Sequence, residues 1–196
     1  MSTRDKILQA VKNNKPALIP LQEIPALLDV TEENPIVKFT AILKNLSTEV
    51  KEVDGWDEVI QYVSELKQQY KIVTVIDGVD GIVNDGADTI NQSAAALASL
   101  DYALIKGPIG IAENGAIWLN DKNLPNRLLP FICQHLVLVI EAKDIVSNMH
   151  QAYRKIQVNE EGYGVFISGP SKTADIEQSL VIGAHGPLSL RVYIVH

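Results

Sequence analysis

The residues with the most chemical potential lie near the C-terminus. There Gly169-Pro170-Ser171-Lys172-Thr173-Ala174-Asp175-Ile176-Glu177 is followed by Gly183-Ala184-His185-Gly186-Pro187. The mostly apolar run Tyr163 to Ser168 leads into Gly169-Pro170, and the hydroxyl-rich segment beyond reads as the start of a short helix. A strand, a tight turn and a helix N-terminus in that order leave backbone N–H groups unpaired at the positive end of a helix dipole, which suits an anion. Lys172 would add a mobile positive charge, and Ser171 and Thr173 would add hydroxyl donors. The same residues also suit a plain capped helix start, because Ser or Thr ahead of Asp175 and Glu177 complements the dipole. Residue types alone leave both readings open.

Glu113 sits between two mostly apolar stretches, Leu104 to Ala112 and Ile117 to Leu119. Limited solvent there would raise the basicity of its carboxylate. Three roles stay open for it: covalent nucleophile toward an acyl thioester, ligand-contacting carboxylate, or structural acceptor beside an Asn114-Gly115 turn. Arg127, just ahead of Leu128-Leu129-Pro130, could clamp a carboxylate or phosphate with its fork, or simply lie at the surface. His185, in a Gly-rich turn, is either reachable by ligand or merely tolerated in a loop.

The single cysteine, Cys133, adjoins an apolar run and reads as a buried structural thiol. One thiol cannot hold an iron–sulfur cluster, so chemistry that needs one belongs to another chain. The 4 histidines are scattered, with no HxH or HxxxH pair, and predict no metal site. The turn Asp77-Gly78-Val79-Asp80-Gly81 is not a dinucleotide fingerprint, and neither a P-loop nor a G-x-S-x-G elbow occurs, so no cofactor is expected.

The run from Gly169 to Glu177, with Gly183 and His185 to Pro187, resembles residue by residue the C-terminal signature of the LUD (lactate utilisation) domain family. Ile111-Ala112-Glu113-Asn114-Gly115 is a second match. The family usually shows Ala-Glu-Thr-Gly-Thr there, so Asn114 and Ala116 depart from it and remove any threonine hydroxyl role at those positions. Arg127 with Leu128-Leu129-Pro130 is a third, and the resemblance covers residues 35 to 196. It implies a fold similar to the glucosamine-phosphate deaminase, ribose-phosphate isomerase and CoA-transferase group (NagB/RpiA/CoA-transferase-like). The ligand site would then lie at the carboxyl ends of the strands, as is general for open α/β sheets.

The same resemblance implies an accessory or small-anion-binding component of a lactate utilisation system, supporting oxidation of L-lactate to pyruvate beside iron–sulfur partner subunits. Ile-Ala-Glu-Asn-Gly also resembles the Ser-Glu-Asn-Gly motif of class I CoA-transferases, whose glutamate is acylated. The alternative is therefore a stand-alone enzyme of the CoA-transferase or sugar-phosphate isomerase type using Glu113. Glu113 is the catalytic candidate, and Arg127, Ser171, Lys172, Thr173, Asp175 and His185 are the ligand-binding candidates, expected to converge on one cleft.

The elements that must position these residues follow from pattern. A chain of 196 residues with 46% hydrophobic residues supports one packed domain. A net charge of −7 argues against a nucleic-acid surface. No apolar run reaches the ~20 residues that span a bilayer, and the first residues lack a signal-peptide core, so no membrane role and a cytoplasmic location are expected.

Residues 1–34 read as a helix, with Ile7, Leu8 and Val11 on one face, and an arm bearing Pro16, Pro20 and Pro25. That arm could wrap its own subunit, a neighbour or nothing, which leaves a homo-oligomer open. Residues 35–196 form the LUD-like domain. Helices are expected at 35–46, 56–69, 93–100 and 144–157, and strands at 48–53, 71–76, 102–106, 111–119, 136–140, 165–168 and 190–195. This alternation predicts an α/β fold whose mostly parallel sheet is covered by helices on both faces.

Overall fold

Strand β6, His135–Glu141, shows how the molecule is assembled. Leu136, Leu138 and Ile140 enter one apolar cluster, Val137 and Val139 another, and all five are buried. Side chains alternate across a strand, so one apolar on both sides must be covered on both sides. The computed structural model, which describes residues 2–17, 19, 31–156, 162–172 and 182–196, provides that cover.

The central sheet runs β1-β9-β6-β3-β2, and every neighbouring pair is parallel. Its other strands are β1 (Glu49–Val53), β2 (Ile72–Val75), β3 (Tyr102–Lys106) and β9 (Ser189–Val195). Helix α3 (Asp57–Gln69) covers one face through Val59, Val63 and Leu66. On the other face lie α2 (Pro35–Asn45), α4 (Ala94–Leu97) and α5 (Leu129–Ile132), which contribute Phe39, Leu43, Leu97 and Leu129. Pro35 opens α2 where its missing N–H costs nothing. The α/β reading with a mostly parallel sheet holds.

A second sheet, unforeseen from the sequence, shares that face. It runs β7-β4-β5-β8: Ile145–Val146, Ile109–Ile111, Ala116–Asn120 and Gly164–Ile167. Here two expectations are corrected. Residues 111–119 are not one strand but the hairpin β4–β5, turning at 112–115. Gly115 takes a φ of +68°, open to glycine without strain, and Asn114 Oδ1 accepts the Ala116 N–H at 3.1 Å.

Nor is 144–157 one helix. Ile145 and Val146 are buried in β7 beside β4, and helix α6 (Met149–Lys155) begins only after Asn148, whose side chain accepts the Gln151 N–H at 3.0 Å.

Helix α1 (Thr3–Asn13) buries no residue, and Ile7, Leu8 and Val11 are all exposed. It is held locally by a capping box in which Ser2 Oγ accepts the Asp5 N–H and Asp5 Oδ2 accepts the Ser2 N–H. Most of the expected arm, residues 18 and 20–30, lies outside the described residues. No helix among the described residues is long and apolar enough to cross a membrane.

Two stability outcomes follow. A Cβ at Gly164 would fall 2.0 Å from the Trp118 ring. Gly164→Ala should therefore lower stability by roughly 1–3 kcal/mol, read as a falling melting temperature. Removing residues 1–14 deletes no side chain that is buried among the described residues and should change stability by less than about 0.5 kcal/mol. Thermal unfolding followed by circular dichroism checks both.

Candidate functional site

The chain leaves β8 through Ser168 and turns at Gly169, whose φ of +77° again suits glycine. It then runs through Pro170, Ser171 and Lys172. The returning stretch, 182–187, is clamped to this one. Lys172 pairs with Ile182 in an antiparallel bridge. Gly183 N–H donates to Ser171 O at 3.0 Å, and Ser171 N–H donates to Pro187 O at 3.2 Å. Leu188 N–H then reaches Gln134 O at 2.8 Å and seats the chain for β9. Close packing demands the glycine at 183, since a Cβ there would meet Leu188 Cδ2 at 2.2 Å.

This clamp borders a cleft of about 280 Å³. Buried Leu136 and Leu190, with Phe131 and Phe166, form its apolar part. Ser168, Ser171, Lys172 and His185 supply the polar groups, with Lys172 and His185 exposed at the mouth. The Lys172 ammonium has no partner among the described residues. Ser168 Oγ donates to Asn114 O at 2.7 Å and ties the cleft wall to the β4–β5 turn.

Leu136 and Leu190 are the second residues of β6 and β9, so the cleft lies at the amino ends of the parallel strands. The expectation of a carboxyl-end location for these residues is thereby corrected. The clamp feeds directly into the start of β9, and that fixes the end of the sheet at which it sits.

Of the sequence candidates, Ser171, Lys172 and His185 meet in this cleft. Thr173 and Asp175, with the helix expected to follow them, lie outside the described residues. Arg127 is not among the cleft residues. Its fork is occupied by Asp121, at 2.8 and 2.7 Å, and its guanidinium lies 4.7 Å from the centre of the Tyr163 ring. The pairing holds the Asp121 carboxyl below its ordinary range.

Glu113 is also outside the lining and, contrary to expectation, exposed. A tight hairpin turn carries it outward, and its Oε2 accepts the Met149 N–H at 2.9 Å, at the start of α6. Sequence reasoning passed over Ser168, Phe131 and Phe166. Ser168 could have been flagged by its place directly before Gly169-Pro170.

Cys133 is 2% exposed, and burial pushes its thiol up to about 12. The reading of a buried structural thiol holds. Among the described residues no three His, Cys, Asp or Glu side chains group as a metal site.

Residues 83–195 match the LUD domain family. The chain belongs to the LUD domain family. Its clamp and cleft are thus features of a LUD domain. The lactate utilization protein C of Shouchella clausii is 37% identical over 116 residues, which is 57% of this chain and 48% of that protein. This chain thus covers about half that relative's length. The lactate utilization protein C of Geobacillus sp. strain WCH70 is 26% identical over 207 residues, covering 98% of this chain and 79% of that one. Among solved structures, a DUF162 family protein from Deinococcus radiodurans shares the fold, with a TM-score of 0.66 at 20% identity over 83% of this chain and 96% of that one.

The thiol's burial has a direct readout. With a pKa of about 12, only on the order of 1 in 10,000 Cys133 thiols is ionised at pH 8. Iodoacetamide at pH 8 should leave the native LUD domain unlabelled and modify it fully in urea, as read by intact mass. Rapid native labelling would show an accessible thiolate instead.

Proposed function

We propose that this LUD domain is a component of a lactate utilisation system and binds a small anion in the cleft bordered by Lys172 and His185. One observation carries the binding part. The two halves of the C-terminal signature are clamped together by backbone hydrogen bonds and present, at the mouth of an apolar cleft, an ammonium with no partner among the described residues. A cation beside apolar walls takes an anion more strongly than one in open water, because the lower local dielectric strengthens the pair. The system assignment rests on the relatives named lactate utilization protein C.

In this reading the LUD domain works beside other subunits in the cytoplasm. Oxidation of L-lactate to pyruvate releases two electrons and two protons. The single, buried thiol cannot serve a cluster, so iron–sulfur partner proteins receive the electrons. Binding is favoured over acyl transfer through Glu113, whose Oε2 is already engaged at the α6 N-terminus and which stands outside the cleft.

The experiment combines growth and binding. Deleting the gene should abolish growth on L-lactate, and Lys172→Ala should fail to restore it while keeping the wild-type melting temperature. In calorimetric titrations with L-lactate, pyruvate and inorganic phosphate, Lys172→Ala should weaken any anion bound in the cleft by about tenfold or more, as expected for one charge-assisted hydrogen bond. Normal lactate oxidation in the deletion strain would overturn the assignment. A Glu113 acyl adduct after incubation with acetyl-CoA would restore the enzyme reading.

A further inference from the structure

Helix α1 carries a stripe that its own subunit leaves uncovered. Arg4, Leu8, Val11 and Lys15 recur at helical spacing and so follow one side of the helix line. Leu8, Val11, Lys12 and Lys15 share one open hollow of about 410 Å³ with Asp5 and Gln9. Ile7, Leu8 and Val11 are 60, 51 and 55% exposed. Three branched apolar side chains together on one short helix favour burial against another surface.

The charge of this helix opposes that of the rest of the chain. Arg4, Lys6, Lys12 and Lys15 against Asp5 give residues 1–15 a charge of +3. The whole chain carries −7, which leaves −10 on the other residues. Asp5 is spent on the Ser2 cap, and the four cations make no ion pair among the described residues.

A surface of opposite character lies in the loop between β2 and α4. From Ile72 to Ile105 the chain holds Asp77, Asp80, Asp85, Asp88 and Asp101, and no Lys, Arg or His. Val83 and Ile90 of this loop are 69 and 57% exposed. Asp80 and Asp88 are exposed too, and their carboxylates have no partner among the described residues. The domain beneath holds the loop in one shape. Asp85 Oδ1 accepts the Thr74 N–H at 2.5 Å, and Asn126 Nδ2 donates to Thr89 O at 2.7 Å and Gln92 O at 3.0 Å. A surface fixed beforehand loses little entropy when it is covered.

We propose that α1 of one copy docks its Leu8–Val11 side on the 77–90 loop of a second copy, and that the reciprocal contact closes a twofold dimer. Val83 and Ile90 meet the apolar stripe, and Asp80 and Asp88 receive Lys12 and Lys15. Residues 14–34, between α1 and α2, can extend to about 70 Å at ~3.3 Å per residue, enough to reach a neighbour. Twofold symmetry repeats a contact that one short helix alone makes small. The dimer is therefore reversible and concentration-dependent.

Other seats suit this helix less well. An anionic membrane attracts basic helices, but it repels a body of −10, and α1 has no Trp or Phe to anchor it. The cleft of Lys172 and His185 offers a cation at its mouth, the same sign as the helix. Helix α1 also lies outside residues 83–195, which match the LUD domain family, so the contact is additional to the cleft.

Sedimentation equilibrium of the full chain over a range of concentrations measures the dimer directly. Wild type should dimerise as concentration rises, and Leu8→Ser with Val11→Ser should abolish this. Lys12→Glu with Lys15→Glu, and separately Asp80→Lys with Asp88→Lys, should each weaken dimerisation at least about tenfold. Each aspartate reversal adds two positive charges, so the pair takes the chain from −7 to −3. General repulsion would then tighten association, whereas loss of the docking contact weakens it. All four reversals together should restore the dimer. Unchanged melting temperatures confirm that these exposed substitutions leave the fold intact. A wild type that stays monomeric, a dimer that survives Leu8→Ser with Val11→Ser, or four reversals without rescue would each overturn the proposal. Binding to phosphatidylserine vesicles that requires Lys12 and Lys15 would overturn it in favour of a membrane surface.

Discussion

Strand β9 lies between β1 and β6, and the candidate cleft depends on how the chain reaches it. Parallel pairing with both neighbours sets one register, in which Val192 stands beside Val50 and Leu138. To enter that slot in a parallel sense, the chain must come from the amino ends of the strands. It does so through the backbone clamp of Ser171 to Gly183 and Pro187, and through Leu188 on Gln134. Proximity of Lys172 and His185 is therefore a by-product of sheet insertion.

The burial pattern explains what sequence reading recovers. Runs such as Leu136 to Ile140 are apolar at every position because both faces are covered, so their strand character is plain. Continuous burial also misleads. Ala116 to Asn120 is buried along its whole length and follows buried Ile109 to Ile111, and composition merges them into one strand. The signal that separates them is the Asn114-Gly115 pair, a hairpin marker. Ile145 and Val146 read equally well as helix or strand, and the deciding cue is Asn148 as a cap.

The site divides along the same line. Ser171, Lys172 and His185 come from two short segments linked by local hydrogen bonds, and a motif captures them together. Arg127 finds its partner Asp121 only six residues away, a pairing visible on inspection. Glu113 meets Met149 across 36 residues, and no local pattern reports that. At the opposite end of the sheet, Lys106 meets Glu141 across 35 residues. Nothing linear joins them.

The placement of β9 also governs how the protein is made. Among the described residues β1 pairs with β9 alone, and Arg191 reaches Glu49 across 142 residues of chain. Until residues 189–195 have been synthesised, the β9 side of β1 is unpaired and β6 shows an open edge that is apolar from Leu136 to Ile140. Contacts of such long range close late, because the entropy of a large loop must be lost before any pairing repays it. An unpaired edge of this kind is a template for other chains. The sheet therefore closes through its last strand, and the edges of β1 and β6 that β9 covers are the last to be paired.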